Sequence, residues 1–333
     1  MVMGNESNSG LKKQSSGGER RSSLLADPDR NPGYFLQLPE GRDGWLVARR
    51  IRVARRGLAV LAWTLPAMLI QGVCLVLPGK AKVAFAQFYW AAFTRLIGIK
   101  VRVIGRPARR EAGRPVIYVS NHSSWIDVPV VGGVLDGCFV AKGDVAKWPV
   151  ISTIARLGRT VFVTRSRAST GKERDAMRAL LKAGDNLILF PEGTSSDGSR
   201  VLPFRTSFFA LAESMAGEDP ISMPLIQPVS VVYDRLDGMP VGRANRPVFA
   251  WYGDMDIASH FGRLTQHIGL RATVLLHTPL DPTRFEDRKA LSRAVWQIVA
   301  DGASTLRQNR PARPLDLPEQ LPSGMQAEEP AYA

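Results

Sequence analysis

The stretch Asn121-His122-Ser123-Ser124-Trp125-Ile126-Asp127 sets an imidazole and a carboxylate in one short segment with four residues between them. It follows the apolar run Val116-Ile117-Tyr118-Val119, whose β-branched and aromatic residues read as a buried strand that Asn-His-Ser-Ser does not continue. His122 is therefore expected at a strand's C-terminal end. Asp127 then falls in the first turn of a following helix, close enough to accept a hydrogen bond from one ring nitrogen. The other nitrogen is left to take a proton, the usual way a hydroxyl becomes nucleophilic near neutral pH. A lone His–Asp pair also occurs as a buried histidine capped by an acid. The residues elsewhere in the chain decide between the two.

A second stretch, Phe190-Pro191-Glu192-Gly193-Thr194-Ser195-Ser196-Asp197-Gly198, again follows an apolar run directly. One Pro and two Gly around an acid and three hydroxyls suit a tight loop whose backbone N–H groups face an anion. Open α/β sheets bind ligands outside the carboxyl ends of their strands. His122 and Glu192 both fall at such ends, so the two loops are expected to face one crevice. A third stretch, from Gly158 through Val161-Phe162-Val163-Thr164 to Arg165, brings a strand out to a cation. The fourth, Ile226-Gln227-Pro228-Val229-Ser230, is a strand with a proline near its start.

From Lys100 onward short strands alternate with helical stretches, which signals an α/β domain with a mixed sheet flanked by helices. Strands are expected over 101–104, 116–120, 138–141, 160–164, 186–190, 227–233, 248–252 and 272–277. Helices are expected over 125–134, 145–157, 172–182, 204–215, 258–267 and 287–307. The last starts after Asp281-Pro282 and lines up Leu291, Val295, Ile298 and Val299 on one face, so it should pack on the sheet.

Ahead of this domain lie two different segments. Residues 1–47 are rich in Gly, Ser, Asn, Pro and charge and read as a disordered basic extension with no signal peptide at its start. Arg49, Arg50, Arg52, Arg55 and Arg56 follow, and then Leu58 to Leu77 carry no formal charge. About twenty apolar residues suffice to cross a bilayer's hydrocarbon. Pro66 interrupts this run, however, Pro78-Gly79 turns it, and Lys80 and Lys82 put positive charge at its far end. After the turn come Phe85, Phe88, Tyr89, Trp90 and Phe93. Residues 48–97 thus read as a helical hairpin dipping into one leaflet, aromatics near the headgroups and arginines on the acidic surface. A true transmembrane helix over 58–77 is the alternative. The domain then spans 98–310, and the Pro-, Glu- and Gln-rich residues 311–333 read as a disordered tail.

A net charge of +14 with pI near 10.3 calls for an acidic partner. The cations cluster beside the apolar segment rather than along one helix or sheet face, which fits a phospholipid surface and argues against nucleic acid. Cys74 and Cys138 lie in apolar runs and read as reduced, buried small hydrophobes. The four histidines, His122, His260, His267 and His277, form no ligand spacing with them, so no metal is expected.

Taken together and in order, these motifs resemble the glycerolipid acyltransferase family that includes the bacterial 1-acylglycerol-3-phosphate acyltransferases, the PlsC-like proteins. The family's Asn-His-x-Ser-x-x-Asp is matched by Asn121, His122, Ser124 and Asp127, and its Gly-to-Arg strand by Gly158 to Arg165. Its Phe-Pro-Glu-Gly-Thr-Arg-Ser is matched at Phe190 to Thr194 and Ser196, and its apolar-Pro-Val strand at Ile226 to Val229. Ser195 departs from the pattern, standing where the family has an arginine that helps hold the acceptor's phosphate. The surroundings of Glu192 and the later Trp251-Tyr252-Gly253-Asp254-Met255 are similar to a branch that acylates lyso-ornithine lipid.

The resemblance implies acyl transfer from an acyl thioester, acyl-CoA or acyl carrier protein, to the free hydroxyl of a lysolipid, with no cofactor. The first-ranked acceptor is 1-acyl-sn-glycerol-3-phosphate, giving phosphatidic acid; lyso-ornithine lipid is the alternative. His122 would be the general base and Asp127 its orienting partner. Asn121, Ser124, Glu192, Gly193 and Thr194 would shape the acceptor site, with Arg165 and Arg205 supplying positive charge. The expected location is the cytoplasmic face of the inner membrane. A hydrolase using Ser196 is the rival chemistry, but the strand ends carry no Gly-x-Ser-x-Gly elbow. A membrane-anchored binding protein without catalysis is the other rival.

Overall fold

The run that precedes the His–Asp segment is strand β2 (Val116–Ser120), and it is buried along its whole length. Val116 and Tyr118 face one hydrophobic core while Ile117 and Val119 face another. A strand covered on both faces reads as a continuous apolar run, which is what the sequence shows. The computed structural model describes residues 43–108, 114–142, 160–163, 170–212 and 223–316, with isolated positions at Thr153, Ala155 and Gly158.

The elements after helices α1 (Asp43–Val76) and α2 (Ala81–Leu96) are β1 (Ile99–Ile104), β2, α3 (Asp127–Gly132), β3 (Cys138–Lys142), β4 (Val161–Val163) and α4 (Thr170–Lys182). There follow β5 (Leu187–Leu189), β6 (Leu225–Leu236), β7 (Met239–Pro240), α5 (Ile257–Thr265), β8 (Leu270–Leu276) and α6 (Arg288–Arg307). The sheet order is β1-β8-β6-β2-β5-β3-β4, with β7 hairpinned onto β6. Strands β4, β3, β5, β2 and β6 run parallel, whereas β8 is antiparallel to β6 and β1 follows β8.

One core joins α2 and α3 to the sheet through Trp90, Phe93, Ile126, Val130 and Phe139. The other joins α4 and α6 through Met177, Leu181, Leu291, Val295 and Val299. The mixed sheet is thus flanked by helices on both faces. Register makes the site: Ser120 pairs with Val229, so β6 runs on from Ser230 to Leu236 after β2 has stopped. A crevice opens where the shorter strand ends.

Several expected elements differ. Residues 248–252 are not a strand. A 3-10 turn (Arg243–Val248) containing Pro247 leads into an irregular segment, since proline removes a ladder donor. That segment is fixed by packing instead: Phe249 stacks on Tyr233 at 4.9 Å and 10°, and the Trp251 N–H donates to Ser123 O at 2.9 Å. The helix expected over 204–215 is a 3-10 helix (Thr206–Ala212), with 213–215 outside the described residues. The helix expected over 145–157 falls mostly outside them as well. Helix α1 begins at Asp43, inside the span expected to be disordered. Residues 311–316, placed in the expected tail, pack on the end of β8: the Leu315 N–H donates to His277 Nδ1 at 3.1 Å, and Thr278 bonds Leu315 and Asp316.

Helices α1 and α2 run antiparallel. Gln71 Nε2 donates to Lys82 O at 2.9 Å, Thr64 and Tyr89 hydroxyls lie 3.0 Å apart, and Trp63 stacks on Tyr89. The inner face of α1 is Arg56, Val60, Trp63, Thr64, Ala67 and Gln71, at the three- and four-residue spacing of one helix side. Its outer face, Leu58, Leu61, Leu65, Leu69, Val73 and Val76, is exposed. The basic cluster is only partly a surface feature. Arg56 is 7% exposed and donates to Thr265 O, His267 O and Ile268 O at 2.8, 2.7 and 3.1 Å, and Arg52 donates to Gln266 O. These carbonyls end α5, where a cation answers both the orphaned acceptors and the negative pole of the helix.

Candidate active site

Beyond Ser120 the chain leaves the sheet, yet the ladder does not end abruptly. The Asn121 side chain takes over, donating to Val231 O at 2.9 Å and accepting from Val231 N at 2.8 Å. Read from sequence as an acceptor contact, Asn121 is 5% exposed and commits both ends of its amide to β6. It lets the backbone turn away at His122 without orphaning a buried strand.

His122 Nδ1 lies 2.9 Å from Asp127 Oδ2. The same oxygen accepts the amides of Ser123 and Ser124 at 2.6 and 2.8 Å, and Oδ1 accepts the Tyr233 hydroxyl at 2.5 Å. Asp127 sits in the first turn of α3, where an anion meets the helix's positive pole. Its side chain is 1% exposed and that of His122 is 20% exposed. A carboxylate accepting from Nδ1–H fixes the tautomer with the lone pair on Nε2. Phe190 stacks under the imidazole at 4.4 Å and 23°, and Phe139 stacks on Phe190 in turn, fixing the plane. Tyr233 is pushed well above its ordinary value by burial and by the Asp127 charge, so it keeps its proton and donates.

The loop after β5 closes on the His122 turn. Glu192 Oε1 accepts the His122 amide at 2.7 Å, and Oε2 accepts the Leu202 amide at 3.0 Å. Ser196 N donates to His122 O at 2.9 Å. Glu192 thereby holds the two loops together rather than reaching into solvent; it is 3% exposed, and burial pushes its carboxyl up to about 8 against the opposing pull of those two amides. Gly193 adopts φ +69°, and a Cβ there would stand 2.8 Å from Arg205 Nε. A side chain at this position would both strain the backbone and displace the arginine.

Of the remaining expected site residues, Thr194 and Arg205 are exposed on this loop and Ser195 is half-buried. Ser124 is fully buried, and its hydroxyl has no partner among the described residues. Arg165 lies outside the described residues. Of the groups that touch the pair directly or through one neighbour, Phe190 opens the second motif, whereas Tyr233 and Phe249 carry no local signal. Tyr233 closes a predicted strand but stands 106 positions from Asp127.

This constellation can take a proton at Nε2 and stabilise the resulting imidazolium. The acyltransferase family model matches residues 100–232. The lyso-ornithine lipid O-acyltransferase of Rhizobium meliloti is 36% identical over 250 residues, 75% of this chain and 85% of that protein. The 1-acyl-sn-glycerol-3-phosphate acyltransferase of Neisseria gonorrhoeae is 30% identical over 239 residues, covering 70% and 86%. The crystal structure of the 1-acyl-sn-glycerophosphate acyltransferase PlsC from Thermotoga maritima shares the fold, with a TM-score of 0.55 at 20% identity over 80% of this chain and 98% of that one. The chain belongs to the PlsC-like family of glycerolipid acyltransferases and is an O-acyltransferase acting on lysolipids.

Proposed function

We propose that this protein moves a fatty acyl group from an acyl thioester to the free hydroxyl of lyso-ornithine lipid, at a membrane surface. The acceptor rests on the identity to lyso-ornithine lipid O-acyltransferases, which the Brucella abortus protein shares at 36% over 90% of its length. The chemistry rests on one observation, the pinning of His122 Nδ1 by Asp127 at 2.9 Å.

Nε2 removes the hydroxyl proton as the acceptor oxygen attacks the thioester carbonyl. The imidazolium is stabilised by the Asp127 charge, which Tyr233 and two amides hold in place. The tetrahedral intermediate then expels the thiolate, which recovers the proton from the imidazolium. No protein nucleophile is needed, because the acceptor supplies one.

The exposed apolar face of α1 seats the protein in the leaflet that carries the acceptor. That helix has the length and composition to enter a bilayer. Phosphatidic acid formation from 1-acyl-sn-glycerol-3-phosphate is the second reading, favoured by the identity to the Neisseria protein.

The test is to incubate the purified full chain with acyl-CoA or acyl carrier protein thioester and each lysolipid separately. Lyso-ornithine lipid should gain a chain. Product from 1-acyl-sn-glycerol-3-phosphate alone would reverse the acceptor assignment, and no product from either would end the acyl-transfer reading.

A further inference from the structure

The crevice where β6 outruns β2 holds charges that the His–Asp chemistry does not use. It is an open cleft of about 580 Å³, solvent at its mouth included. Ser123, Ser196 and Tyr233 line it, and Arg200, Arg246 and Arg307 face into it. Arg246 comes from the 3-10 turn after β7, Arg307 from the last turn of α6, and Arg200 from the loop after β5. Three separate elements thus deliver guanidinium groups to one place.

Arg246 and Arg307 are half-buried. Among the described residues neither forms a hydrogen bond or ion pair with its side chain, although burial makes an unpaired guanidinium costly. Burial and the neighbouring Arg246 charge pull Arg307 below its ordinary value, against the smaller opposing pull of Glu192 and Asp197. The carboxylates nearby bond other groups, although the Arg200 and Arg246 charges help to hold Asp197 below its ordinary value. Asp234 holds Arg271 through two bonds of 3.0 and 2.6 Å, Asp197 accepts the amide and hydroxyl of Ser199, and Glu192 accepts two amides. The cleft keeps a surplus of positive charge with donors in fork geometry, an arrangement suited to a planar or tetrahedral oxyanion.

The cleft adjoins the His122 turn, although neither His122 nor Asp127 lines it. Ser123 follows His122 directly, and the Ser196 amide bonds His122 O. We propose that Arg246 and Arg307, with Arg200 at the rim, form an oxyanion-binding subsite that grips a carboxylate or phosphate borne by one of the two transfer substrates. The subsite rests on the acyl-transfer reading for the identity of its ligand, but not for anion binding itself.

Two measurements on the full chain in detergent micelles test this. The first follows thermal unfolding with and without inorganic phosphate, for wild type, R246Q and R307Q. Phosphate should raise the melting temperature of wild type and lose that effect in both variants, whose melting temperatures without phosphate stay level or rise because two like charges no longer face each other. Equal protection in all three proteins overturns the proposal.

The second measures KM for each substrate, with kcat as the control. Loss of a charge-assisted contact should raise one KM about tenfold per substitution, with kcat changed much less. R307K, which keeps the charge without the fork, should recover part of the loss. A raised acceptor KM identifies a headgroup anion, and a raised donor KM identifies a phosphate of the thioester carrier. Phosphate protection lost with neither KM moved means an adventitious ion only, and the substrate subsite falls. A wild type that acylates no lysolipid defeats the functional reading, while the phosphate arm still reads the anion site.

Discussion

The Tyr233 hydroxyl donates to Asp127 Oδ1 at 2.5 Å from a strand on the opposite side of β2 from Phe190. Asp127 is thereby gripped from two directions, His122 and two amides on one oxygen and a phenol on the other. The His122 ring is oriented by an acid that is itself oriented.

Y233F should therefore lower kcat about ten- to a hundredfold with little change in either KM, because a bond to a charged acceptor is worth about 1.5–3 kcal/mol. H122A and D127A should lower kcat by about a thousandfold or more while the proteins still fold. Steady-state kinetics checks all three. A Y233F enzyme at wild-type kcat would show that Asp127 needs no second support.

N121A should lose about 2–4 kcal/mol of stability, since it strands the buried N–H and C=O of Val231 together. Denaturant unfolding reads the loss. Were Asn121 an acceptor contact instead, its removal would raise the acceptor KM in a protein of normal stability.

Acid should weaken the fold through two histidines away from the site. His260 Nδ1 accepts from Trp125 Nε1 at 3.0 Å, and His277 accepts from Leu315 N and bonds Ser230 Oγ at 2.9 Å. Burial lowers each to about 4. With the folded value below the unfolded one near 6.5, their neutral forms contribute stability that is fully present above pH 6.5 and lost as pH falls through 4. The loss is on the order of 3 kcal/mol per histidine. Glu192 acts in the opposite sense: its raised value gives stability that is present below pH 4.5 and lost as pH rises through about 8. Unfolding free energies across this range for wild type, H277N and E192Q separate the slopes. An unchanged acid limb in H277N would remove that histidine from the account.

Membrane attachment should depend on the outer face of α1 and not on the hairpin as a whole. Tyr89, Trp90 and Phe93 of α2 belong to the core, so deleting residues 48–97 would unmake the domain rather than release it. L65K/L69K/V73K should move the protein from the membrane pellet to the supernatant with its circular dichroism intact. R56M should instead lower the melting temperature, by freeing three carbonyls at the end of α5. Persistent sedimentation of the triple lysine variant would place the anchor elsewhere.

The parts of this fold that depend on neighbours along the chain are legible in its residues alone. Val116–Ser120 as a strand, Asp127 opening a helix and the spacing from His122 to Asp127 are local facts, and periodicity reports them. Phe249 to Trp251 read as a strand because an apolar segment pressed against a site has a strand's composition; only Tyr233, Ser123 and Pro247 distinguish the two. Arg52 and Arg56 read as membrane contacts because the carbonyls they meet lie more than two hundred positions away. Arg246 and Arg307 share a cleft for the same non-local reason, and no motif marks them.

Under the proposed anchoring, the outer face of α1 would have a kinetic meaning as well. An enzyme held by a lateral apolar stripe meets its acceptor by diffusion in a plane, so its rate answers to the acceptor's mole fraction among neighbouring lipids and not to its amount per volume. Diluting the acceptor with inert lipid at constant bulk concentration slows such an enzyme, and the composition of the leaflet becomes part of its control.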